Sequence, residues 1–303
     1  MMSLFILANP YRSIVRVIVF VSGVFTMARS SPLHAQSIEQ SNNKLHTFET
    51  KQSHEHRQPT ETHPVQSPVT KYPAFQRDMR TDGNDTLPYR WLAPLSVAPS
   101  QKYPLVIALH GSGERGSDNE RQLTWFAPIL GQDTFRMQYP SYVIVPQCPK
   151  NKRWAEVDWS LRAHTLPTAP SAPMRLLFEL IDEMIKTYPI DPRRVYITGL
   201  SMGGFGTFDA LARKPALFSA GMPVCGGADT ATAHTVRHIP LWIFHGALDK
   251  VVIPERSRDM VLALRRAGAL PQYTEYPDVE HGSWKPTYAN PDVWRWLFAQ
   301  RRY

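Results

Sequence analysis

Several features that would assign a chain to a common class are missing from this sequence. Only two cysteines, Cys148 and Cys225, occur in 303 residues, so a disulfide framework is excluded. The net charge of +8 is spread over the chain without a basic run, which argues against a nucleic-acid partner. No cysteine lies in the first 40 residues, so a lipid anchor on an N-terminal cysteine is excluded as well.

A long apolar run is also missing. The most apolar N-terminal stretch, residues 17–27, is interrupted by small and polar residues, and a membrane-spanning helix needs about 20 apolar residues. Arg12 and Arg16 precede this stretch and the small Ala35 follows it, which is the order of a secretory signal peptide. We therefore predict a signal peptide over residues 1–35, an exported (periplasmic or secreted) protein and no stable membrane anchor. An uncleaved anchor and a later translation start are the alternatives.

Residues 36–84 are predicted to form a flexible polar linker, followed by a catalytic domain over residues 85–303. Gln, Ser, Thr, His and Pro dominate the linker up to about residue 72, and such a segment cannot bury enough apolar surface to offset the entropy of ordering. The cluster His54-Glu55-His56 has no rigid scaffold around it. We predict no metal site and no cofactor.

The pentapeptide Gly199-Leu200-Ser201-Met202-Gly203 lies between an apolar run, Val195–Thr198, and a segment that can continue as a helix. A serine at such a strand-to-helix turn is held on a strained corner with its hydroxyl lifted clear of the sheet. The flanking glycines are needed because a Cβ atom at either position would collide with the turn. The pattern alone is weak, and a Gly-Ser loop is the alternative, but this placement favours Ser201 as a nucleophile.

Candidates for the acid and the base follow in the order expected after such a serine. Asp249 lies just beyond the apolar strand Leu241–Phe244, and His281 lies in the loop after the predicted strand Gln272–Tyr276. We predict that His281 takes the proton from Ser201 while Asp249 orients the imidazole ring.

Two nearby residues offer alternatives to this assignment. Asp278 lies in the same loop as the candidate base and is the alternative acid. His245 ends the strand before Asp249 and is predicted to pack under the site rather than to react.

A glycine-rich loop, His110–Gly116, follows the apolar strand Leu105–Leu109. Acyl transfer needs two backbone N–H donors directed at the developing oxyanion. We predict that Met202 supplies one and Ser112 the other, with Gly113 as the alternative. The loop lacks the Gly-Lys-Ser/Thr ending of a phosphate-binding loop, which argues against nucleotide binding.

The segments LHGSGERG, VPQCP, GLSMGGFGTFDA, FHGALDKVV and EHGSW occur in this order, and together they resemble the bacterial α/β-hydrolase esterases. Within that group the chain resembles the carboxylesterases that are classed with dienelactone hydrolases, polyhydroxybutyrate-depolymerase-like enzymes and acetyl or feruloyl esterases of carbohydrates. The resemblance covers roughly residues 85–303 and implies the triad and the two backbone donors just named. Dienelactone hydrolases use a cysteine nucleophile, so Ser201 puts that lactone chemistry in doubt.

Strand and helix signals alternate through the catalytic region, which predicts an α/β-hydrolase fold with a mostly parallel sheet and helices on both faces. Helices are predicted over Met174–Tyr188, over Pro254–Ala267 and from Asn290-Pro291 onward. In the strand order of the family, the strands that end at Cys148 and Cys225 are not neighbours. We therefore predict two free, buried thiols.

Two loops bear on the substrate. About fifteen residues separate Cys225 from Leu241, which leaves no room for a large lid at that position. The loop over residues 147–172 carries Trp154, and Trp284 follows the candidate base. Each tryptophan is either a packing residue or a surface on which a sugar or an aromatic acyl group stacks, and both are candidate substrate-binding residues.

The sequence therefore predicts a serine carboxylic-ester hydrolase that acts through an acyl-enzyme on short-chain or carbohydrate-linked esters. A long acyl chain gains binding only where a tunnel buries it, at about 0.8 kcal/mol per CH₂, and the short loops leave little sequence to build one. A serine peptidase with the same triad is one alternative, although the large gated peptidases of this fold carry an additional domain that we do not expect before residue 85. A non-catalytic binding protein of the same fold is the other.

Overall fold

The computed structural model describes residues 70–302, which form one eight-stranded sheet with helices packed against it. The strands are β1 (Gln76–Asp82), β2 (Asp85–Leu92), β3 (Tyr103–Leu109), β4 (Tyr142–Pro146), β5 (Ile190–Leu200), β6 (Ala220–Val224), β7 (Trp242–Gly246) and β8 (Gln272–Tyr276). The helices are α1 (Ala127–Leu130), α2 (Asp133–Gln138), α3 (Ala172–Thr187), α4 (Met202–Arg213), α5 (Ala233–Val236), α6 (Glu255–Arg266), α7 (Trp284–Ala289) and α8 (Pro291–Ala299).

The strand order is β1-β2-β4-β3-β5-β6-β7-β8. Strands β1, β2 and β4 pair antiparallel, and every pairing from β4 to β8 is parallel. The carboxyl ends of β3 to β8 therefore meet at one edge of the sheet, where the loops of an open α/β fold gather functional residues. The predicted mostly parallel sheet is confirmed.

Alternate residues along the central strands separate two hydrophobic cores. Ile107 and Ile197 lie in one core with Leu177 of α3, while Val106 and Tyr196 lie in the other. The second core also contains α8 side chains. Because successive residues of a strand point to opposite faces, helices cover both faces of the sheet, as predicted.

The N-terminal edge of the domain differs from the prediction. Strand β1 lies inside residues 36–84, which we predicted to be linker, and it forms a hairpin with β2 through a turn at Gly83 (φ 57°). The sequence of β1 is almost entirely exposed and shows no apolar alternation, so periodicity could not reveal it. The predicted domain boundary at residue 85 is therefore wrong. The predicted signal peptide and the rest of the linker up to residue 69 lie outside the described residues.

Other local predictions agree with the structure. Helix α3 begins after Ser171, whose hydroxyl accepts a hydrogen bond from the backbone N–H of Met174, and Pro173 lies in its first turn. Cys148 and Cys225 are free and buried, which confirms the predicted thiols. Between residues 70 and 302, the helices are all too short or too polar to cross a membrane.

Candidate active site

Ser201 stands alone between β5 and α4, in the conformation expected for a strained nucleophile. Its φ of 53° and ψ of −116° place a non-glycine residue in a sparsely populated region, at a cost of about 1–3 kcal/mol. Its backbone N–H donates to the carbonyl of Val224 at 2.9 Å, and its carbonyl accepts from the N–H of Phe205 at 3.1 Å. The neighbouring strand and the first turn of α4 thus hold the corner in place.

The glycines around Ser201 allow the backbone to approach its neighbours closely. A Cβ atom at Gly199 would lie 2.3 Å from the carbonyl oxygen of Gly203, and one at Gly203 would lie 2.0 Å from that of Leu109. Both distances are far below van der Waals contact, so a side chain at either position would push β5, α4 and β3 apart. This is the steric reason that the sequence suggested.

Three residues from different strand ends meet at the carboxyl edge of the sheet. His281 Nε2 lies 2.9 Å from Ser201 Oγ, and His281 Nδ1 lies 2.7 Å from Asp249 Oδ2. Since the carboxylate can only accept, the ring proton is on Nδ1, which leaves Nε2 to accept the serine hydroxyl proton. Asp278 is exposed at the surface and is not hydrogen-bonded to the imidazole. The structure thus brings the three predicted residues together; their catalytic roles remain predictions.

The Asp249 carboxylate is held ionised by its surroundings. Burial alone would raise its pKa, but hydrogen bonds from His245, His281 and the backbone of Val252 outweigh burial and hold the pKa well below its ordinary range. Oδ1 accepts from the N–H groups of Val251 at 2.8 Å and Val252 at 3.0 Å. A fixed negative charge beside Nδ1 stabilises the imidazolium that forms when His281 takes a proton.

His245 packs beneath this carboxylate, as the sequence suggested. Its ring is fully buried, Nδ1 lies 2.7 Å from Ser257 Oγ, and Nε2 lies 2.8 Å from the Val252 carbonyl. Nε2 is also 3.3 Å from Asp249 Oδ2. His245 therefore ties the loop that holds Asp249 to helix α6. Sequence reasoning did not find Ser257, because the contact joins two segments that carry no shared motif.

The loop after β3 is anchored by a buried histidine. His110 Nε2 accepts from the backbone N–H of Cys148 at 2.9 Å, so Nδ1 carries the proton and donates to the Gly111 carbonyl at 2.6 Å. Burial lowers the pKa of His110 to about 4, which keeps the ring neutral near pH 7. A Cβ atom at Gly111 would lie 2.9 Å from the Leu200 side chain, so this loop runs directly beside the Ser201 turn.

The two predicted oxyanion donors each begin a helical segment. Met202 is the first residue of α4, and Ser112 begins a single 3₁₀ turn, Ser112–Glu114. Backbone N–H groups in the first turn of a helix have no partner within it, so the Met202 N–H is available to an anion. The role of both residues as oxyanion donors stays a prediction.

The predicted substrate contact at Trp154 is wrong. Its side chain is fully buried, and its Nε1 donates to the His110 carbonyl at 3.1 Å. A side chain at Gly206 would meet the Trp154 Cβ at 2.5 Å, so the missing side chain on α4 makes room for the tryptophan. Trp154 packs between α4 and the glycine-rich loop and is closed to a substrate.

Trp284 lies beside the candidate base and remains a candidate substrate contact. Its ring is nearly perpendicular to that of His281, with the ring centres 5.4 Å apart, and 5.5 Å from the ring of Trp125. Trp125 Nε1 in turn donates to Glu114 at 3.1 Å. Both tryptophans are partly exposed and form an aromatic pair that the sequence reasoning missed, because the two rings lie far apart in the chain.

Comparison with known proteins agrees with this arrangement of strands and loops. A solved structure of a thermostable esterase is 38% identical, with a TM-score of 0.71, over 76% of this chain and 64% of that one. The chain has the α/β-hydrolase fold. The family model of the prolyl oligopeptidase family also matches residues 173–243 of this chain.

Two curated proteins are similar to parts of this chain. The bifunctional acetylxylan esterase/xylanase of Neocallimastix patriciarum is 25% identical over 160 residues, which are 53% of this chain and 21% of that protein. Poly(3-hydroxyalkanoate) depolymerase C of Paucimonas lemoignei is 32% identical over 124 residues, which are 41% of this chain and 28% of that protein. The chain thus spans less than a third of the length of either relative. Together with the solved esterase structure, these matches confirm the resemblance to esterases that the motifs predicted.

Proposed function

We propose that the protein is a serine carboxylic-ester hydrolase that acts through an acyl-enzyme. The observation that carries the proposal is the continuous chain of hydrogen bonds from Ser201 Oγ to His281 at 2.9 Å and from His281 to Asp249 at 2.7 Å. A base within hydrogen-bond reach of a serine and itself oriented by a carboxylate is the arrangement that activates a nucleophilic hydroxyl.

The reaction follows from these positions. Ser201 Oγ attacks the ester carbonyl carbon while its proton passes to His281 Nε2, and the carbonyl oxygen gains a negative charge. The N–H groups of Met202 and Ser112 are the proposed donors to that oxyanion. His281 then returns the proton to the leaving alcohol, and the acyl group stays on Ser201. Water activated by His281 releases the acid and restores the hydroxyl.

An ester is favoured over an amide as the substrate. The 38% identical structure is that of an esterase, and one curated relative is named as an acetylxylan esterase. The match of residues 173–243 to the prolyl oligopeptidase family is the specific observation in favour of the alternative, a serine peptidase. Both reactions use the same triad, so the substrate panel below includes amides.

Short acyl groups and carbohydrate-linked esters are the proposed substrate class. Between β6 and β7 the chain forms only a 3₁₀ turn, Thr230–Thr232, and the four-residue helix α5, so that connection provides no lid. With Trp154 buried, the aromatic surface near the base is the pair Trp125 and Trp284. Such a surface suits a sugar ring or an aromatic acyl group.

Export is the proposed location. Support comes from the basic, apolar and small residues that succeed one another in residues 1–35. Expression of the full chain in a bacterial host, followed by N-terminal sequencing of the protein outside the cytoplasm, tests this. A mature N-terminus near residue 36 is expected, and an intact, cytoplasmic N-terminus would contradict the proposal.

The decisive experiment joins covalent labelling to a substrate panel. A fluorophosphonate probe should label the wild type and not Ser201→Ala, while Ser160→Ala, which changes an exposed serine, should label normally. The panel contains p-nitrophenyl esters, acetylated and feruloylated xylo-oligosaccharides, and peptide anilides. Labelling that persists in Ser201→Ala would overturn the nucleophile, and faster cleavage of anilides than of every ester would favour the peptidase.

A further inference from the structure

The thiol of Cys225 lies against the His281–Asp249 pair, although no step of the proposed reaction uses it. Cys225 Sγ, a carboxylate oxygen of Asp249 and a ring nitrogen of His281 all lie within 4.8 Å of one another. The three residues follow β6, β7 and β8 in turn, so the parallel sheet itself brings them together. Cys225 has a φ of 40°, which turns the backbone sharply at this point.

A fourth polar group points to the same place. Ser283 is fully buried, and its hydroxyl lies within hydrogen-bond reach of the Cys225 thiol. The surroundings of the thiol are therefore polar as well as buried.

The donor set selects a particular class of ligand. Thiolate, imidazole and carboxylate together are ligands of zinc and similar thiophilic ions, whereas magnesium and calcium prefer oxygen alone. Ligand atoms on a tetrahedral zinc ion lie roughly 3.3 to 3.8 Å apart. Donors that already lie within 4.8 Å of one another need to move by only about 1 Å to reach that geometry.

We propose that Cys225, Asp249 and His281 form an inhibitory binding site for a thiophilic divalent metal ion of the zinc class. The inhibition, although not the binding, rests on the proposed esterase function. The metal–sulfur bond forms as the thiol proton leaves to water. We predicted no metal site from the sequence, and this proposal departs from that prediction.

Inhibition follows from the two hydrogen bonds that His281 makes. Its Nδ1 faces Asp249 and its Nε2 faces Ser201, so a metal bound at either nitrogen replaces one of them. Loss of the first leaves the imidazolium without its carboxylate, and loss of the second leaves the serine without its base. The His281 side chain is 22% exposed, whereas the Asp249 side chain is fully buried. The ion therefore enters the site from the side of the imidazole ring.

Cadmium binding to the full chain tests the site without any substrate. In a Ser201→Ala background, Cd²⁺ should produce the ultraviolet charge-transfer band of a cadmium–thiolate bond at one ion per chain. Only Cys148 and Cys225 can give this band, because the chain has no other cysteine. Cys225→Ser should abolish it, whereas Cys148→Ser, which changes the other buried thiol, should keep it. Histidines near the N-terminus can bind the ion but give no thiolate band.

Zinc inhibition tests the consequence. Zn²⁺ should inhibit the wild type and Cys148→Ser, and chelation should restore activity. Cys225→Ser should need at least about tenfold more Zn²⁺, since even loss of a group that only orients a metal ligand costs about tenfold or more in metal affinity. If Cys225→Ser does not fold, His281→Asn is the second test, because it keeps the thiol. It should raise the Cd²⁺ concentration at which the band is half-saturated by at least about tenfold. Absence of the band in the Ser201→Ala protein, or its persistence when Cys225→Ser is added, would overturn the site. Zinc inhibition that Cys225→Ser leaves unchanged would refute inhibition through this site. A cadmium band in a protein that hydrolyses no ester would support the metal site and refute the proposed esterase function.

Discussion

The indole Nε1 of Trp154 donates a hydrogen bond to the backbone carbonyl of His110, the first residue of the glycine-rich loop after β3. Both side chains are fully buried, and the ring of His110 packs edge-on against the indole with the ring centres 5.4 Å apart. A residue from the long loop after β4 thus sets the position of the glycine-rich loop that carries Ser112.

Replacement of Trp154 by phenylalanine should therefore affect both stability and catalysis. Trp154→Phe leaves the buried His110 carbonyl without this donor, which should lower the free energy of unfolding by about 1–3 kcal/mol and lower kcat more than it raises KM. Trp159→Phe is the matched control, since Trp159 Nε1 has no hydrogen-bond partner in the described part of the chain. Urea unfolding and ester kinetics measure the two effects; equal losses in both variants would contradict the role of this hydrogen bond.

The acid of the triad can be identified by a pair of aspartate variants. Asp249→Asn should lower kcat by about four orders of magnitude, the loss reported for the corresponding change in a serine protease, because the amide no longer stabilises the imidazolium. Asp278→Asn should keep nearly full activity, since Asp278 is exposed. The opposite ranking of the two variants in p-nitrophenyl acetate hydrolysis would refute the assignment.

The close approach at the Ser201 turn predicts a steep sensitivity to one methyl group. In Gly203→Ala the new Cβ would lie 2.0 Å from the Leu109 carbonyl oxygen, which requires backbone movement and should cost about 3 kcal/mol or more. Gly113→Ala, where nothing lies within 4 Å of the added atom, is the control and should change stability little. Similar melting temperatures for both variants would show that the turn is looser than described.

Stability should fall as the pH drops from 6.5 toward 4. Burial lowers the pKa of His110 to about 4, so in this window the unfolded chain binds a proton that the folded protein does not. The free energy of unfolding then decreases as pH falls, at up to about 1.4 kcal/mol per pH unit for each such histidine. His110→Gln should show a shallower slope in urea titrations at successive pH values. An identical slope in wild type and variant would exclude His110 as a source.

Acyl-chain preference tests the shape of the site. Because the β6–β7 connection forms no lid, chain length beyond a few carbons should add little to kcat/KM, whereas a buried chain would gain about 0.8 kcal/mol per CH₂. The measurement is kcat/KM for p-nitrophenyl esters from acetyl to palmitoyl. A steady rise to the longest chain would overturn the prediction.

The variant Trp284→Ala tests the aromatic surface beside the base. It should reduce kcat/KM for feruloylated substrates more than for acetylated substrates.

Local patterns were sufficient to predict the sheet class and the three site residues. The Ser201 turn is encoded within five residues, and Asp249 and His281 each follow a recognisable strand. The orientation of Trp154 was not predictable in this way, since it depends on the absence of a side chain at Gly206, 52 residues further along. For the same reason the contact between Trp125 and Trp284 could not be found, because nothing in either segment indicates the other.

The polar hairpin strand β1 determines where the domain can be cut. Its residues pair along β2 from Gln76 opposite Trp91 to Asp82 opposite Asp85. A chain that began at residue 85 would still pair β2 with β4, but it would leave the other edge of β2 without a partner, next to side chains such as Leu87 that are buried in the core. An open edge of this kind is a template for another strand. By covering this edge with charged residues, β1 reduces self-association of the protein. The smallest soluble form of the protein should therefore retain the residues from about 70 onward.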